Sequence, residues 1–355
     1  MTPDRSIDHQ LATRPVRVAV AGLGYWGPNL VRNLYEMPEA DVVAVCDTEV
    51  GALERLARRY PGIHGTTDLQ SVLDDQNVEA LVIATPVATH DPIARRALNA
   101  GKHILVEKPL ADSVEGAADI VNIARQRGLV VMAGHTFLYS PAVNLIRHQI
   151  EKGAIGNPYF ISMSRVNLGI HQNDVSVVWD LGPHDFSILR YWLGENPIMV
   201  SAIGRCCVIP GRHDVAFINL EFGSGTIAHV ELSWLAPSKL RRTTIVGSEK
   251  MIVYDDTSSE PVRVFDSGVS LPAPETFGEF QLSYRTGDIL TPRVDVVEPL
   301  LEEMLDFCKA VRGTSQPRST GELGLEVVRV IEAVERSLDR SGQPMSIDEL
   351  VQRVA

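Results

Sequence analysis

The chain has 355 residues, a length that suits two domains better than a single hydrophobic core. Hydrophobic residues make up 45% and charged residues 22%, which is ordinary for a globular protein, and no apolar run approaches the roughly 18 residues of a membrane helix. The net charge of −12 argues against general affinity for nucleic acids or anionic membranes.

Residues 1–15 are polar and contain no apolar signal core. This composition predicts a flexible arm and, because no export signal is apparent, a cytoplasmic protein. Four cysteines follow, none of them in a CxxC pair or at a ligand-like spacing. The sequence therefore predicts neither a disulfide framework nor a zinc site.

From Val16 the sequence alternates between short apolar runs and helical patterns. Continuous Val, Ile and Leu runs indicate a parallel sheet with both faces covered by helices. The predicted strands are residues 16–21, 41–46, a short one near 63, 80–84, 103–106 and 129–133, and the predicted helices are residues 29–37, 51–60, 92–99 and 113–127.

A glycine motif follows the first strand directly and opens the first helix. Gly22 permits a tight turn, Gly24 lets backbone N–H groups approach a pyrophosphate, and Gly27 lets the helix pack close to the sheet. The N-terminus of that helix supplies positive potential for phosphates in an otherwise acidic chain. A tight turn without a ligand is the alternative, but the strand–helix–strand context favours dinucleotide binding.

Asp47, at the end of the second strand, indicates which dinucleotide is bound. A carboxylate there accepts hydrogen bonds from the adenosine ribose and repels a 2′-phosphate, and the next two residues include no arginine. NAD is therefore favoured over NADP, and a second half beyond residue 135 argues against a SAM-binding fold. The predicted cofactor-binding residues of these two segments are Gly22, Gly24, Tyr25, Trp26, Gly27 and Asp47.

The second half has closely spaced strands, and its Gly223-Ser224-Gly225 turn is typical of antiparallel hairpins. The predicted strands are residues 159–166, 199–208, 215–222, 226–234, 243–246, 251–254 and 262–265. The predicted helices are one that begins near Asp180 and runs to residue 193, followed by residues 298–311, 321–341 and 346–354.

Three blocks resemble the family of glucose-fructose oxidoreductase and inositol dehydrogenase, the Gfo/Idh/MocA family: AGLGYWG at 21–27, VEKPL at 106–110 and WDLGPHDFSIL at 179–189. The resemblance implies an α/β protein with an NAD-binding Rossmann domain (16–135). The remaining residues, 136–355, would form a substrate-binding α/β domain with an open, mainly antiparallel sheet. Such a sheet often forms the oligomer interface, so we expect a homodimer or homotetramer.

The resemblance also implies a catalytic set. Lys108 ends the fifth strand, at the sheet edge where open α/β folds bind ligands, and a cis bond before Pro109 would aim it. Asp180 and His184 are spaced i, i+4 and share one helix face. The family role makes His184 the proton acceptor or donor, with Asp180 orienting the substrate hydroxyl or Lys108. The alternatives are a surface lysine, a helix-cap aspartate and a packed histidine.

Further candidates follow from position. Thr85, Pro86 and His90 follow the fourth strand, where the family's backbone lines the dinucleotide, although His90 could instead cap the next helix. Glu107 is assigned to the cofactor with Lys108. No metal is expected, because Lys108 can supply the positive charge that a zinc held by Asp180, His184 and Asp185 would bring. The predicted substrate-binding residues beyond the catalytic set are His135, Arg165, Asn167, Gln172 and Lys239.

Two of these candidates have ordinary structural alternatives. His135 could be a core histidine, and the basic run that includes Lys239 could be a solvated face. If the run is functional, it suits the diphosphate of a nucleotide-linked sugar.

Residues 166–185, 233–242 and 284–289 resemble a subgroup that acts on nucleotide-linked sugars. The leading hypothesis is an NAD-dependent oxidoreductase that converts a ring carbinol, at C3 of such a sugar, to a ketone. The alternatives are an inositol or free-sugar dehydrogenase, a 3-ketosugar reductase and a non-enzymatic NAD-sensing regulator.

Overall fold

A computed structural model describes residues 14–169, 171, 175–270 and 282–347. The described chain divides into two compact units. Unit 1 contains residues 14–139 and 298–329, and unit 2 contains residues 140–297 and 330–347. This division differs from the single boundary predicted after residue 135, because the chain returns to unit 1 near its end. Of the predicted arm, only Arg14 and Pro15 lie among the described residues.

Unit 1 contains a six-stranded sheet in the order β3-β2-β1-β4-β5-β6, with every pairing parallel. The two central strands β1 and β4 are almost wholly buried, which explains their unbroken apolar sequences. The strands are β1 (Val16–Ala21), β2 (Ala40–Cys46), β3 (His64–Thr66), β4 (Ala80–Ile83), β5 (His103–Glu107) and β6 (Val131–Gly134).

Proline and glycine mark helix ends in unit 1 as the sequence predicts. Pro28 lies in the first turn of α1, and Gly128 ends α5 in the left-handed conformation that glycine favours. The helices are α1 (Gly27–Glu36), α2 (Val50–Arg59), α3 (Leu69–Asp74), α4 (His90–Asn99), α5 (Val114–Arg127) and, after unit 2, α8 (Pro299–Val311), with α9 (Gly321–Asp339) beginning in unit 1 and ending in unit 2.

Unit 2 contains a nine-stranded sheet in the order β14-β13-β12-β11-β7-β10-β9-β8-β15. All pairings are antiparallel except the one between β7 and β10. The strands are β7 (Pro158–Leu168), β8 (Pro197–Arg205), β9 (Val215–Phe222), β10 (Ile227–Ser233), β11 (Leu235–Gly247), β12 (Met251–Asp255), β13 (Val262–Ser270), β14 (Ser283–Leu290) and β15 (Met345–Ser346).

One face of this sheet is buried. In β9 buried and more exposed positions alternate strictly, which is the period-two pattern of a sheet covered on one side only. Two helices, α6 (Pro141–Glu151) and α7 (Val177–Leu193), belong to unit 2 and precede most of its strands. The α/β class and the second, mainly antiparallel sheet are therefore confirmed.

The structure corrects several predicted elements. The sequence patterns did not predict α3, α6 and β14, and they predicted only residues 243–246 of β11, which begins at Leu235. The predicted helix 346–354 is wrong at its start, because Met345 and Ser346 pair with β8; residues 348–354 lie outside the described chain. No helix among the described residues is long and apolar enough to cross a membrane.

Candidate active site

The glycine loop of unit 1 has no room for side chains at two positions. Gly22 has φ +94°, and a Cβ there would lie 2.5 Å from the carbonyl oxygen of Ala84. A Cβ at Gly27 would lie 2.0 Å from the carbonyl oxygen of Gly22. By contrast, nothing lies within 4 Å of a Cβ built at Gly24, which is exposed. The loop is thus packed against its own sheet while leaving open space over Gly24, as a phosphate-binding turn requires.

Asp47 ties this loop to the end of β2. Its Oδ2 accepts a hydrogen bond of 2.5 Å from the backbone N–H of Leu23, and its Oδ1 accepts one of 2.8 Å from Glu49. An ionised carboxylate has about four acceptor positions, so both oxygens can also accept ribose hydroxyls. These residues fit an NAD adenosine and its pyrophosphate. Tyr25 and Trp26 form an exposed edge-to-face pair at the tip of the loop, with ring centroids 5.4 Å apart.

His90 links two loops at the carboxyl edge of the sheet and does not cap a helix. Its Nδ1 lies 2.8 Å from the carbonyl oxygen of Pro109 and its Nε2 lies 2.8 Å from that of Thr85. Burial lowers the pKa of His90, although both carbonyl contacts favour the charged ring. His90 therefore connects the loop after β4, which includes Pro86, to the loop that carries Lys108.

Lys108 follows β5 directly and is partly exposed, with a cis bond to Pro109 as the resemblance implied. Burial raises the pKa of the neighbouring Glu107 carboxyl from 4.5 to about 7, while the positive charge and backbone N–H of Lys108 act in the opposite direction. The carboxylate lies under Gly134, where a Cβ would be 3.3 Å from Glu107 Oε2. Glu107 is thus an interior carboxyl beside the proposed catalytic lysine.

His135 is fully buried, and no hydrogen-bond partner of either ring nitrogen is found in the part of the chain that the structure describes. Burial, and secondly the charge of Lys108, lower its pKa to about 3, so the ring is neutral. His135 is thus an interior residue of unit 1, and its predicted contact with substrate stays a prediction.

Glu303, a buried carboxyl of α8, was not among the residues predicted from the sequence. Its Oε2 accepts a 2.7 Å hydrogen bond from Thr136 Oγ1. Burial and then the charge of Glu107 raise the pKa of Glu303 well above its usual value. No local pattern identifies it, because 167 residues separate the hydrogen-bonded pair.

In unit 2, Asp180 and His184 lie in the first turns of α7, both partly exposed. Ser176 caps this helix by accepting from the N–H of Trp179, and it donates to Glu335. Asp180 Oδ2 accepts a 3.1 Å hydrogen bond from the indole N–H of Trp234. The i, i+4 spacing therefore presents a carboxylate and an imidazole one turn apart at the start of a helix.

Arg165 holds Asp185 in a buried bidentate ion pair with distances of 2.7 and 2.9 Å. The two side chains are only 7% and 4% exposed, so this arginine has a structural partner in the interior of unit 2. That arrangement argues against its predicted role in binding substrate.

Of the other substrate candidates, Asn167 is partly exposed and Lys239 is exposed. Lys239 belongs to the irregular segment of β11 between its pairings at Leu235 and Leu240. Gln172 lies outside the described residues. Among the described residues, no three His, Cys, Asp or Glu side chains are grouped as a metal site requires.

Two family profiles match the chain. Residues 16–135 match "Oxidoreductase family, NAD-binding Rossmann fold" and residues 143–253 match the Gfo/Idh/MocA C-terminal domain. The chain is 27% identical to scyllo-inositol 2-dehydrogenase (NAD(+)) of Bacillus subtilis (strain 168), over 94% of this chain and 96% of that protein.

Two further proteins are similar. UDP-N-acetylglucosamine 3-dehydrogenase of Acidithiobacillus ferrooxidans is 29% identical over 50% of this chain and 56% of its own. The crystal structure of GenD2 from gentamicin A biosynthesis, in complex with NAD, superposes with a TM-score of 0.80 at 25% identity, covering 94% of this chain and 96% of that one. These matches cover both units and agree with the glycine loop and Asp47 in indicating NAD.

Proposed function

Because this chain belongs to the Gfo/Idh/MocA family of NAD-binding oxidoreductases, we propose that it is a dehydrogenase that oxidises a ring carbinol of a sugar or cyclitol to a ketone. One observation carries the proposal. Lys108 lies at the carboxyl edge of the same parallel sheet that holds the glycine loop, with only β4 between β1 and β5. Ligands of open α/β sheets bind at this edge.

In the proposed reaction the alcohol loses a hydride to the cofactor and a proton to the protein. The glycine loop and Asp47 would hold NAD, which would supply the hydride acceptor for the carbinol carbon. His184 accepts the hydroxyl proton, since imidazole exchanges protons near neutral pH. The ammonium group of Lys108 stabilises the negative charge that develops on the substrate oxygen, and Asp180 orients the hydroxyl. Reduction of a keto sugar reverses each step.

The test is an assay of NADH formation at 340 nm with myo-inositol, scyllo-inositol, D-glucose and UDP-N-acetylglucosamine as probe alcohols. We expect at least one of them to turn over and K108A to lower kcat about a hundredfold or more, as loss of a positioned catalytic group does. The matched control is K152A, which removes a lysine that follows α6 and has no proposed role. NADH binding without turnover of any probe would favour a regulator; unchanged turnover by K108A would refute the catalytic assignment.

A nucleotide-linked sugar, oxidised at C3, is the second candidate substrate. Lys239 and Arg242 are exposed on β11 and could contact a diphosphate, whereas Arg241 is paired with Asp256 at 3.0 Å. The similarity to a UDP-N-acetylglucosamine 3-dehydrogenase adds support. If this candidate is right, K239A raises KM for the UDP-sugar about tenfold, the effect of one charge-assisted hydrogen bond, and leaves KM for inositols unchanged.

A further inference from the structure

We propose that Trp234 is a positioning residue for the reaction: its indole N–H fixes the orientation of the Asp180 carboxylate. This inference rests on the proposed function, in which Asp180 orients the substrate hydroxyl. The hydrogen bond from Trp234 Nε1 to Asp180 Oδ2 is 3.1 Å long and joins residues 54 positions apart in the chain. Neither the sequence motifs nor the family resemblance assigned a role to Trp234.

The backbone of Trp234 is held on both sides. Trp234 is the single residue between β10 and β11, two strands that flank β7 in the sheet. Its N–H donates to the carbonyl oxygen of Asp214 and its own carbonyl accepts from the N–H of Gly169, each over 3.0 Å. The point from which the indole extends is therefore fixed by the sheet itself.

The indole ring is equally confined. Trp234 is only 1% exposed and is the bulkiest of the fully buried side chains. A Cβ at Gly169 would lie 2.8 Å from its Cδ1, so a glycine is needed for the ring to lie here. The ring of His171 packs against it with centroids 5.2 Å apart. A flat ring enclosed in this way cannot turn its N–H elsewhere without repacking the core.

A rigid donor suits a catalytic carboxylate for a specific reason. An indole N–H can donate a hydrogen bond but cannot accept one. Because its direction is fixed, it favours the single rotamer of Asp180 that places a carboxylate oxygen in front of it. A carboxylate in the first turn of a helix would otherwise be free to turn towards the exposed N–H groups of that turn, as capping side chains do. Here Ser176 fills the capping role, and Trp234 directs Asp180.

The test separates the N–H group from the bulk of the ring. One variant is W234F; the second replaces Trp234 with 3-benzothienylalanine, which keeps the shape of the indole and lacks only the N–H. The control is W192F, because Trp192 is a comparably buried residue of unit 2 whose N–H donates over 2.9 Å to the carbonyl oxygen of Val143. Each is assayed for kcat, KM, NADH affinity and thermal midpoint, with the fastest of the four probe alcohols as substrate.

We expect the benzothienyl variant and W234F both to lower kcat about tenfold or more, since small displacements of catalytic groups can cost up to about a hundredfold. The NADH affinity of both should match the wild type, and W192F should lower the thermal midpoint while keeping its kcat. Wild-type kcat in the benzothienyl variant overturns the inference, because the missing N–H would then be irrelevant.

A separate variant tests the premise. D180N should lose most of its turnover if Asp180 orients the substrate. Full activity in D180N would contradict the proposed function of Asp180 itself. Loss of activity in D180N together with an unaffected benzothienyl variant would overturn only the role of Trp234, so the two failures are distinguishable.

Discussion

Replacing Arg165 with methionine should destabilise unit 2 severely and leave substrate binding largely unaffected. The guanidinium forms two hydrogen bonds with Asp185, at 2.7 and 2.9 Å, and both side chains are almost fully buried. R165M keeps most of the side-chain volume and removes the charge, so the Asp185 carboxylate is left buried without its cation. Breaking one member of such a pair costs about 3–5 kcal/mol.

For a unit of this size, that free energy corresponds to a fall in the unfolding midpoint of roughly 6–20 °C. The informative companion is R165M/D185L, which replaces both charges with apolar side chains of similar volume. Removing a buried pair as a whole is often neutral, so the double variant should recover most of the loss. D185N alone should resemble R165M, because it leaves the arginine buried and uncompensated.

Urea and thermal unfolding followed by circular dichroism measure the stability of the four proteins, and steady-state assays give KM and kcat. A structural role predicts large shifts in midpoint for the two single variants and a KM near the wild-type value in whatever protein remains folded. The reasoning fails if R165M unfolds at the wild-type temperature while KM rises at constant kcat, since Arg165 would then contact the substrate, as its sequence position first suggested.

Three further predictions concern unit 1. D47N should weaken NADH binding by on the order of tenfold, because it removes the carboxylate that we expect to bind the ribose hydroxyls. It should also reduce the preference for NADH over NADPH in a fluorescence titration, because the charge that would repel a 2′-phosphate is lost. H90F should lower the unfolding free energy by about 1 kcal/mol or more, since at least one buried carbonyl oxygen loses an N–H donor 2.8 Å away; H90F at wild-type stability would contradict the proposed link. The pKa of the Glu107 carboxyl is about 7 in the folded protein, against 4.5 for an exposed carboxyl. Protonation of Glu107 therefore contributes roughly 3 kcal/mol to the free energy of unfolding at low pH, and this contribution should be lost as pH rises from 4.5 through 7. Unfolding midpoints from pH 4.5 to 8 should therefore fall more steeply for the wild type than for E107Q, and parallel curves would contradict the raised pKa.

The geometry of the glycine loop could be predicted from the sequence because it depends mainly on local backbone conformation. Gly22, Gly27 and Asp47 belong to one strand–turn–helix segment and the strand after it. Gly27 is required by the carbonyl oxygen of Gly22 in the same turn, and Gly22 by its own φ of +94°, whereas the contact of Gly22 with Ala84, just after β4, has no local signature. The helix stops are equally local, as Gly128 shows. Such features follow from short-range backbone geometry, which residue types report directly.

The parts that sequence did not predict depend on pairs distant in the chain. The contact of Trp234 with Asp180 spans 54 residues, and that of Thr136 with Glu303 spans 167. Arg165 was predicted to bind substrate because the sequence around an arginine on a strand is the same whether its side chain contacts a ligand or an aspartate. Its partner here, Asp185, lies 20 residues away in the chain. The helix predicted to begin at Ser346 is wrong at its start for a related reason. Met345 and Ser346 pair with β8, and this tertiary contact overrides local helix propensity.

The acidity of the chain poses a problem that the geometry of unit 1 resolves. A protein with a net charge of −12 must bind a cofactor that carries negative phosphates. In the described helix α1 the first turn contains no acidic residue, so the positive end of its dipole is not offset where the phosphates are expected. The carboxylate of Asp47 accepts hydrogen bonds from the N–H groups of Leu23 and Glu49, which fix its position where the ribose is expected. We therefore expect charge placement over a few ångströms, and not the overall sign of the protein, to determine how NAD is held and to disfavour a third phosphate.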